Sequence, residues 1–157
     1  MPYNKKITLF AILLAFVVIV FGAYVRLTDA GLGCPDWPGC YGFFGVPESS
    51  ESLSEVEKTF PGQVVESGKA WREMIHRYIA STLGFLILIL FGLSFSQKRK
   101  SGDDSKARLP FYLLMLVIFQ GLLGMWTVTL KVHPAIVSAH LIGGLSTLSL
   151  LFYYYKK

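Results

Sequence analysis

Four long apolar stretches dominate the pattern of hydrophobic and polar positions along the chain. They cover residues 7–25, 71–95, 109–128 and 134–155. A helix needs about 20 mostly apolar residues to cross the roughly 30 Å hydrocarbon core of a bilayer. Because backbone polar groups in lipid must be paired within the segment, each stretch is expected to be a transmembrane helix. The pattern therefore predicts an all-α membrane protein, a four-helix bundle forming a single domain over 1–157.

The connections between these stretches differ in length and polarity. The first, 26–70, is about 45 residues long and acidic, with a short helix expected around Leu53–Thr59. The second, 96–108, is expected to be a short cytoplasmic linker whose Ser-Gly-Asp-Asp centre is a flexible turn, whereas the third, 129–133, is minimal. The first stretch is too long for a signal peptide and is followed by no small-x-small cleavage site, so we expect a retained helix.

The distribution of basic residues predicts the orientation in the membrane, because loops rich in Lys and Arg stay in the cytoplasm. Nine of the fifteen lie at the chain ends and in the linker: Lys5, Lys6, Lys98, Arg99, Lys100, Lys106, Arg108, Lys156 and Lys157. The protein is therefore expected in the cell (cytoplasmic) membrane. Both termini are expected in the cytoplasm and the 26–70 loop on the external side.

Composition agrees with this assignment, since 53% of the residues are hydrophobic and the mean hydropathy is +0.51. The net charge of +5 comes from basic residues at helix ends rather than on one continuous face. We therefore expect membrane lipid around the chain and no nucleic-acid partner.

Three ionisable residues, Glu73, His76 and His140, lie inside the predicted membrane region. Such residues are costly in lipid and indicate function by default. Glu73 and His76 share one helix face, and both imidazoles are expected roughly 8 to 9 Å below the outer boundary. Two histidines at one depth on different helices suit the axial ligands of a haem iron. Two alternatives stay open: hydrogen bonds to backbone carbonyls, and a zinc site, which normally needs more ligands.

Basic side chains near this pair are candidates for holding haem propionates, because a guanidinium forms paired hydrogen bonds with a carboxylate. Arg77, Arg26 and His133 are assigned to cofactor binding on this basis. For Arg72, anchoring in lipid headgroups is an equal alternative, and His133 has the alternative of capping the short loop.

Cys34 and Cys40 are the two cysteines of the chain, and both lie in the loop expected outside the membrane. A pair in an oxidising compartment usually forms a disulfide. We therefore expect a structural disulfide, with a redox role as the alternative.

The residues around these positions resemble the haem A synthases of the cytochrome oxidase assembly pathway. The resemblance rests on Gly22-Ala-Tyr-Val-Arg-Leu-Thr-Asp-Ala-Gly-Leu-Gly-Cys-Pro-Asp-Trp-Pro-Gly-Cys-Tyr-Gly42, Glu73-Met-Ile-His-Arg77, Gln120-Gly-Leu-Leu-Gly-Met-Trp-Thr-Val-Thr-Leu130 and His133-Pro-Ala-Ile-Val-Ser-Ala-His140. These segments touch all four predicted helices, and together they are far more specific than a lone Glu-x-x-His.

The resemblance implies an oxidoreductase that converts the C8 methyl group of haem O to the formyl group of haem A through two hydroxylations. It places His76 and His140 on the family's haem-ligating pair and Glu73 on its catalytically important glutamate. A carboxylate near the haem edge suits a reaction that must move protons.

Typical members of this family have eight helices in two halves, one with a haem b cofactor and one with the substrate. This chain resembles the amino-terminal half alone, and we expect two copies to pair as a homodimer. A separately encoded second half is the alternative. Haem O synthase and an electron donor are further expected partners.

A different class of function is also compatible with the sequence: a haem-binding electron-transfer or carrier subunit without hydroxylase activity. The buried Glu73 argues for the enzyme, because an electron carrier does not need a buried carboxylate. A channel or transporter is disfavoured, because the broken helices of midplane binding sites are missing from the pattern.

Overall fold

A computed structural model describes residues 2–157, and this part of the chain is helical with no strand. The helices are α1 (Pro2–Leu27), α2 (Ser50–Thr59), α3 (Ser67–Ser101), α4 (Ser105–Thr129) and α5 (Pro134–Lys156). All except α2 are long and apolar enough to cross a membrane. The predicted all-α, four-span membrane architecture is confirmed, whereas the cytoplasmic location of the termini stays a prediction.

The helices extend further than the hydropathy pattern predicts, so that within the expected 96–108 linker only its central turn is non-helical. Helix α3 continues to Ser101, and only residues 102–104 separate it from α4. The basic residues that end α3 are strong helix formers, so leaving the apolar region does not end the helix. It ends at Gly102, whose φ of 69° is the left-handed conformation that glycine adopts easily.

Each long helix contacts two others, and the contacts define a square bundle. Helix α1 packs against α3 and α5, and α4 packs against the same two helices. Within residues 2–157, the remaining pairs, α1 with α4 and α3 with α5, have no such packing. Helices α3 and α5 are therefore diagonally opposite across the centre of the bundle.

Two buried clusters pack the molecule at different levels. The apolar core fills the bundle and consists of Ala11, Ile12, Ala15, Leu83, Ile87, Leu90, Leu113 and Leu151. The loop cluster consists of Cys34, Cys40, Tyr41, Val56, Ala70 and Met74, and joins the 28–66 connection to the start of α3. The histidines of α3 and α5 lie between these two levels.

Candidate functional site

The two intramembrane histidines project from the diagonal helices, His76 from α3 and His140 from α5. Both side chains are partly buried. The Nδ1 atom of each ring is buried without a hydrogen-bond partner among the described residues. Neither Nδ1 atom bonds to a neighbouring carbonyl, so the alternative of a backbone hydrogen bond stays open only for the other nitrogen of each ring.

Glycines on the other two helices lie beside the imidazoles. A Cβ atom added to Gly22 of α1 would lie 2.8 Å from Cε1 of His76. A Cβ atom added to Gly124 of α4 would lie 3.6 Å from Cε1 of His140. The His76 ring therefore occupies space that any side chain at position 22 would take.

Glu73, one turn before His76, is 4% exposed and contacts the loop rather than the facing helix. Its Oε1 atom pairs with the Arg77 guanidinium at 2.5 Å, and its Oε2 atom accepts a hydrogen bond from the Cys34 main-chain N–H at 3.0 Å. Both oxygens of the carboxylate are thus engaged, and the pair links α3 to the cysteine loop.

Arg77 extends this link along the loop. Its guanidinium donates to the main-chain carbonyls of Asp36, Pro38 and Gly39. A planar guanidinium with several N–H groups can serve these acceptors and the Glu73 carboxylate together. Arg77 therefore fixes the loop end of the site, and its assignment to a haem propionate stays a prediction.

The loop itself is closed by the expected disulfide between Cys34 and Cys40, which is confirmed. The Asp36 carboxylate accepts hydrogen bonds from the main-chain N–H groups of Tyr41 and Gly42, at 2.6 and 2.8 Å. Burial, followed by the nearby Glu66 and Asp36 charges, raises the pKa of Tyr41 above its ordinary 10.0. The phenol therefore stays neutral and donates to the Val64 carbonyl.

The remaining predicted residues lie at the rim of the site. Arg26 is exposed and lies 3.7 Å from the Asp29 carboxylate, and Arg72 donates to the Gly68 carbonyl. His133 is exposed and occupies the N-cap position of α5 without a side-chain capping bond. The assignment of Arg26 and His133 to cofactor binding therefore stays a prediction.

The arrangement suits a flat, iron-containing ligand better than a bare metal ion. Over residues 2–157, no group of three or more His, Cys, Asp or Glu side chains is placed to hold a metal. Two imidazoles from opposite helices, each with a buried unpartnered nitrogen, match the axial ligands of a six-coordinate porphyrin iron. Gly22 and Gly124 keep side chains away from the two rings.

Sequence reasoning did not single out two residues at this site. Gly22 lies against His76, and Gln120 has a buried side-chain Nε2 atom without a partner in the described part of the chain. Both stand in the segments that carry the family resemblance. A polar amide within the third apolar stretch was the available signal for Gln120, and Gly22 offered none.

Comparison with known proteins places the chain in a family. Residues 5–157 match the COX15-CtaA family model, described as cytochrome oxidase assembly protein. A "Heme A synthase" of Shewanella oneidensis is 50% identical over 141 residues, which is 90% of this chain and 41% of that protein. A "Heme A synthase" of Alkalihalophilus pseudofirmus is 31% identical over 151 residues, covering 94% of this chain and 44% of that protein.

This chain thus spans less than half the length of these relatives. No solved structure gives a significant match. Because the family model covers almost the whole chain, this protein belongs to the COX15-CtaA family of cytochrome oxidase assembly proteins.

Proposed function

We propose that this chain binds haem between His76 and His140 and oxidises the C8 methyl of haem O toward the formyl group of haem A. The observation that carries the proposal is the pair of buried Nδ1 atoms without partners, on diagonally opposite helices. The relatives named heme A synthase support the choice of reaction.

A bound haem supplies the redox chemistry, and the residues of this chain hold it and handle protons. His76 and His140 would hold the haem iron between α3 and α5. Arg77 and Glu73 hold the disulfide loop against the start of α3, one turn from His76. With molecular oxygen as the oxidant, each of the two hydroxylations turns a C–H bond into C–OH, consumes two electrons from the donor and two protons, and releases one water. The resulting geminal diol loses a second water to give the formyl group. Glu73 is the carboxylate nearest in sequence to His76 that could deliver these protons.

The contacts of Glu73 also favour a second candidate, a haem-binding electron-transfer or carrier subunit. Because both carboxylate oxygens bind the loop or Arg77, the burial of Glu73 already has a structural explanation. A buried carboxylate in this protein is therefore weaker evidence for catalysis than its position in the sequence indicated.

A haem O conversion assay separates the two candidates. The purified chain, with an electron-transfer partner from the same membrane, is supplied with haem O, and haem A is sought by the pyridine haemochrome spectrum. Haem A formation by the wild type, lost in Glu73→Gln with haem binding intact, supports the enzyme. Haem binding without any haem A supports the carrier.

A comparison of two variants separates proton chemistry from loop anchoring at Glu73. Glu73→Gln keeps a hydrogen-bond acceptor for the Cys34 N–H, whereas Glu73→Ala removes it. If Glu73 handles protons, both variants lose the reaction. If it only anchors the loop, Glu73→Gln keeps most of the activity.

We further propose that the chain works together with a second haem-binding four-helix unit, which is a second copy of itself. Identical subunits related by a two-fold axis are the commonest oligomers, which supports a homodimer. Native mass spectrometry in mild detergent is expected to show a dimer. A monomer with one haem and full activity would refute it.

The same proposal places the site toward the external face of the cell membrane, where the disulfide of the loop is stable. A membrane-impermeant reagent applied to intact cells tests the side. A cysteine introduced at the exposed Val64 is expected to be labelled, and one introduced at the exposed Lys100 is expected to be protected.

A further inference from the structure

Gln120 is a buried amide whose hydrogen-bonding capacity is unused. The residue lies on α4 and is 9% exposed, and its Nε2 atom has no partner within residues 2–157. An N–H donor buried without an acceptor is costly, and native proteins rarely keep one without a reason. The side chain is therefore available to a ligand.

The position of Gln120 relates it to the histidine site. Gln120 lies one turn before Gly124 on α4, where an added Cβ atom would lie 3.6 Å from Cε1 of His140. The Nε2 atom of Gln120 packs so closely on Gly143 of α5 that a Cβ atom there would overlap it. Gly143 is one turn beyond His140 along α5, on the side away from the disulfide loop. The amide thus lies at the deep edge of the histidine site.

The charges of a haem determine which of its edges reaches this depth. The propionates favour the loop end of the site, near water and the basic side chains, because burying them is costly. The opposite edge of the porphyrin then lies deepest. In haem O that edge carries a hydroxyl on its farnesyl-bearing substituent, whereas haem b has a vinyl group at the same position.

We propose that Gln120 is a specificity-determining residue that donates a hydrogen bond from its amide to the hydroxyl of haem O. This inference rests on the proposed function and names the group of the substrate that the site recognises. The Gln120 amide N–H beside Gly143 can donate to a ligand that carries an oxygen at that position. Haem b has no such oxygen, so the amide stays unpaired when haem b is bound. The loss of one such bond corresponds to about a tenfold change in affinity.

The test measures the ratio of affinities for two haems. The purified full chain, freed of haem, is titrated in detergent with haem O and with haem b, and binding is followed by absorbance. Gln120→Met keeps the length of the side chain and removes the amide. We expect the affinity for haem O to fall about tenfold and that for haem b to stay the same. Retained haem b binding also shows that the variant folds.

Two further variants make the outcome specific. Gly143→Ala, which displaces the amide without removing it, is expected to lower the same ratio. Gln97→Met, at an exposed position near the other end of α3, is the matched control and should leave the ratio unchanged. An unchanged ratio in Gln120→Met would overturn the inference, as would equal weakening of both haems. A wild type that binds neither haem would instead overturn the proposed function itself.

Discussion

The apolar core and the histidine site lie within the same four helices. They differ in whether their buried polar atoms have hydrogen-bond partners. In the core, Ile87, Leu90, Leu113 and Leu151 are at most 1% exposed and pack against one another. Buried polar groups at the same end have partners: Thr8 bonds to the Asn4 carbonyl, and Ser94 bonds to the Tyr154 hydroxyl at 2.8 Å. This region is completed by its own side chains.

The histidine site has the opposite character. The buried polar atoms left without partners in the described chain are the Nδ1 atoms of His76 and His140 and the Nε2 atom of Gln120. All three lie in the half of the bundle nearer the disulfide loop. Unpaired buried groups are costly and rare in native proteins, so their presence next to a fully packed core is consistent with the proposed haem site.

Adding a side chain at Gly22 is expected to have the largest effect on the histidine site. In Gly22→Leu the new Cβ atom meets the His76 ring, so we expect the affinity for haem b to fall at least 100-fold, about 3 kcal/mol. Absorbance titration measures the loss. Gly121→Leu on α4, where no atom lies within 4 Å of the added Cβ, is the control and should bind haem normally. Equal loss in both variants would contradict a role specific to Gly22.

A cavity in the apolar core should have the converse effect. Ile87→Ala is expected to lower the free energy of unfolding by about 2 kcal/mol, the lower end for such truncations, because lipid is as apolar as the core. Thermal unfolding in detergent measures it, and haem affinity per folded molecule should stay within about twofold. Leu88→Ala, at a position that is 48% exposed, should change little. A large loss of haem affinity in Ile87→Ala would mean that the two regions are not independent.

Removing the disulfide should have a modest effect that is confined mainly to the loop. The double variant Cys34→Ser, Cys40→Ser frees a small ring, for which loop entropy predicts a loss of about 2 kcal/mol confined to the loop. We expect faster proteolysis within residues 34–40, with haem affinity reduced only a few-fold because Arg77 still holds the loop carbonyls. Wild-type protein treated with a reductant should behave alike. If haem binding is abolished, the loop contributes directly to the site.

The sequence allowed the prediction of those features that depend on local pattern. Apolar runs located the four spans, and two cysteines in one polar loop were enough to predict their disulfide. The pattern indicated the turn between α3 and α4 but not the ends of the two helices, because hydropathy reports the edge of the membrane rather than the end of a helix. Lys98 remains helical and pairs with Asp104 at 2.8 Å.

Contacts between distant segments were beyond prediction from the pattern. Spacing places Glu73, His76 and Arg77 near one another on a helix. It does not indicate which of them contacts the loop and which contacts α1. The pairing of Arg77 with carbonyls 38 to 41 positions earlier in the chain is a property of the folded loop. The contact between Gly22 and His76 is likewise visible only once α1 packs on α3.

The central claim is that His76 and His140 ligate the same iron, and the spin state of a bound ferric haem tests it most directly. Electron paramagnetic resonance of the wild-type chain loaded with one haem is expected to show a low-spin, six-coordinate signal typical of two imidazole ligands. His76→Ala and His140→Ala should each convert it to a high-spin signal from the one remaining ligand. A low-spin signal that persists in either variant would contradict the claim.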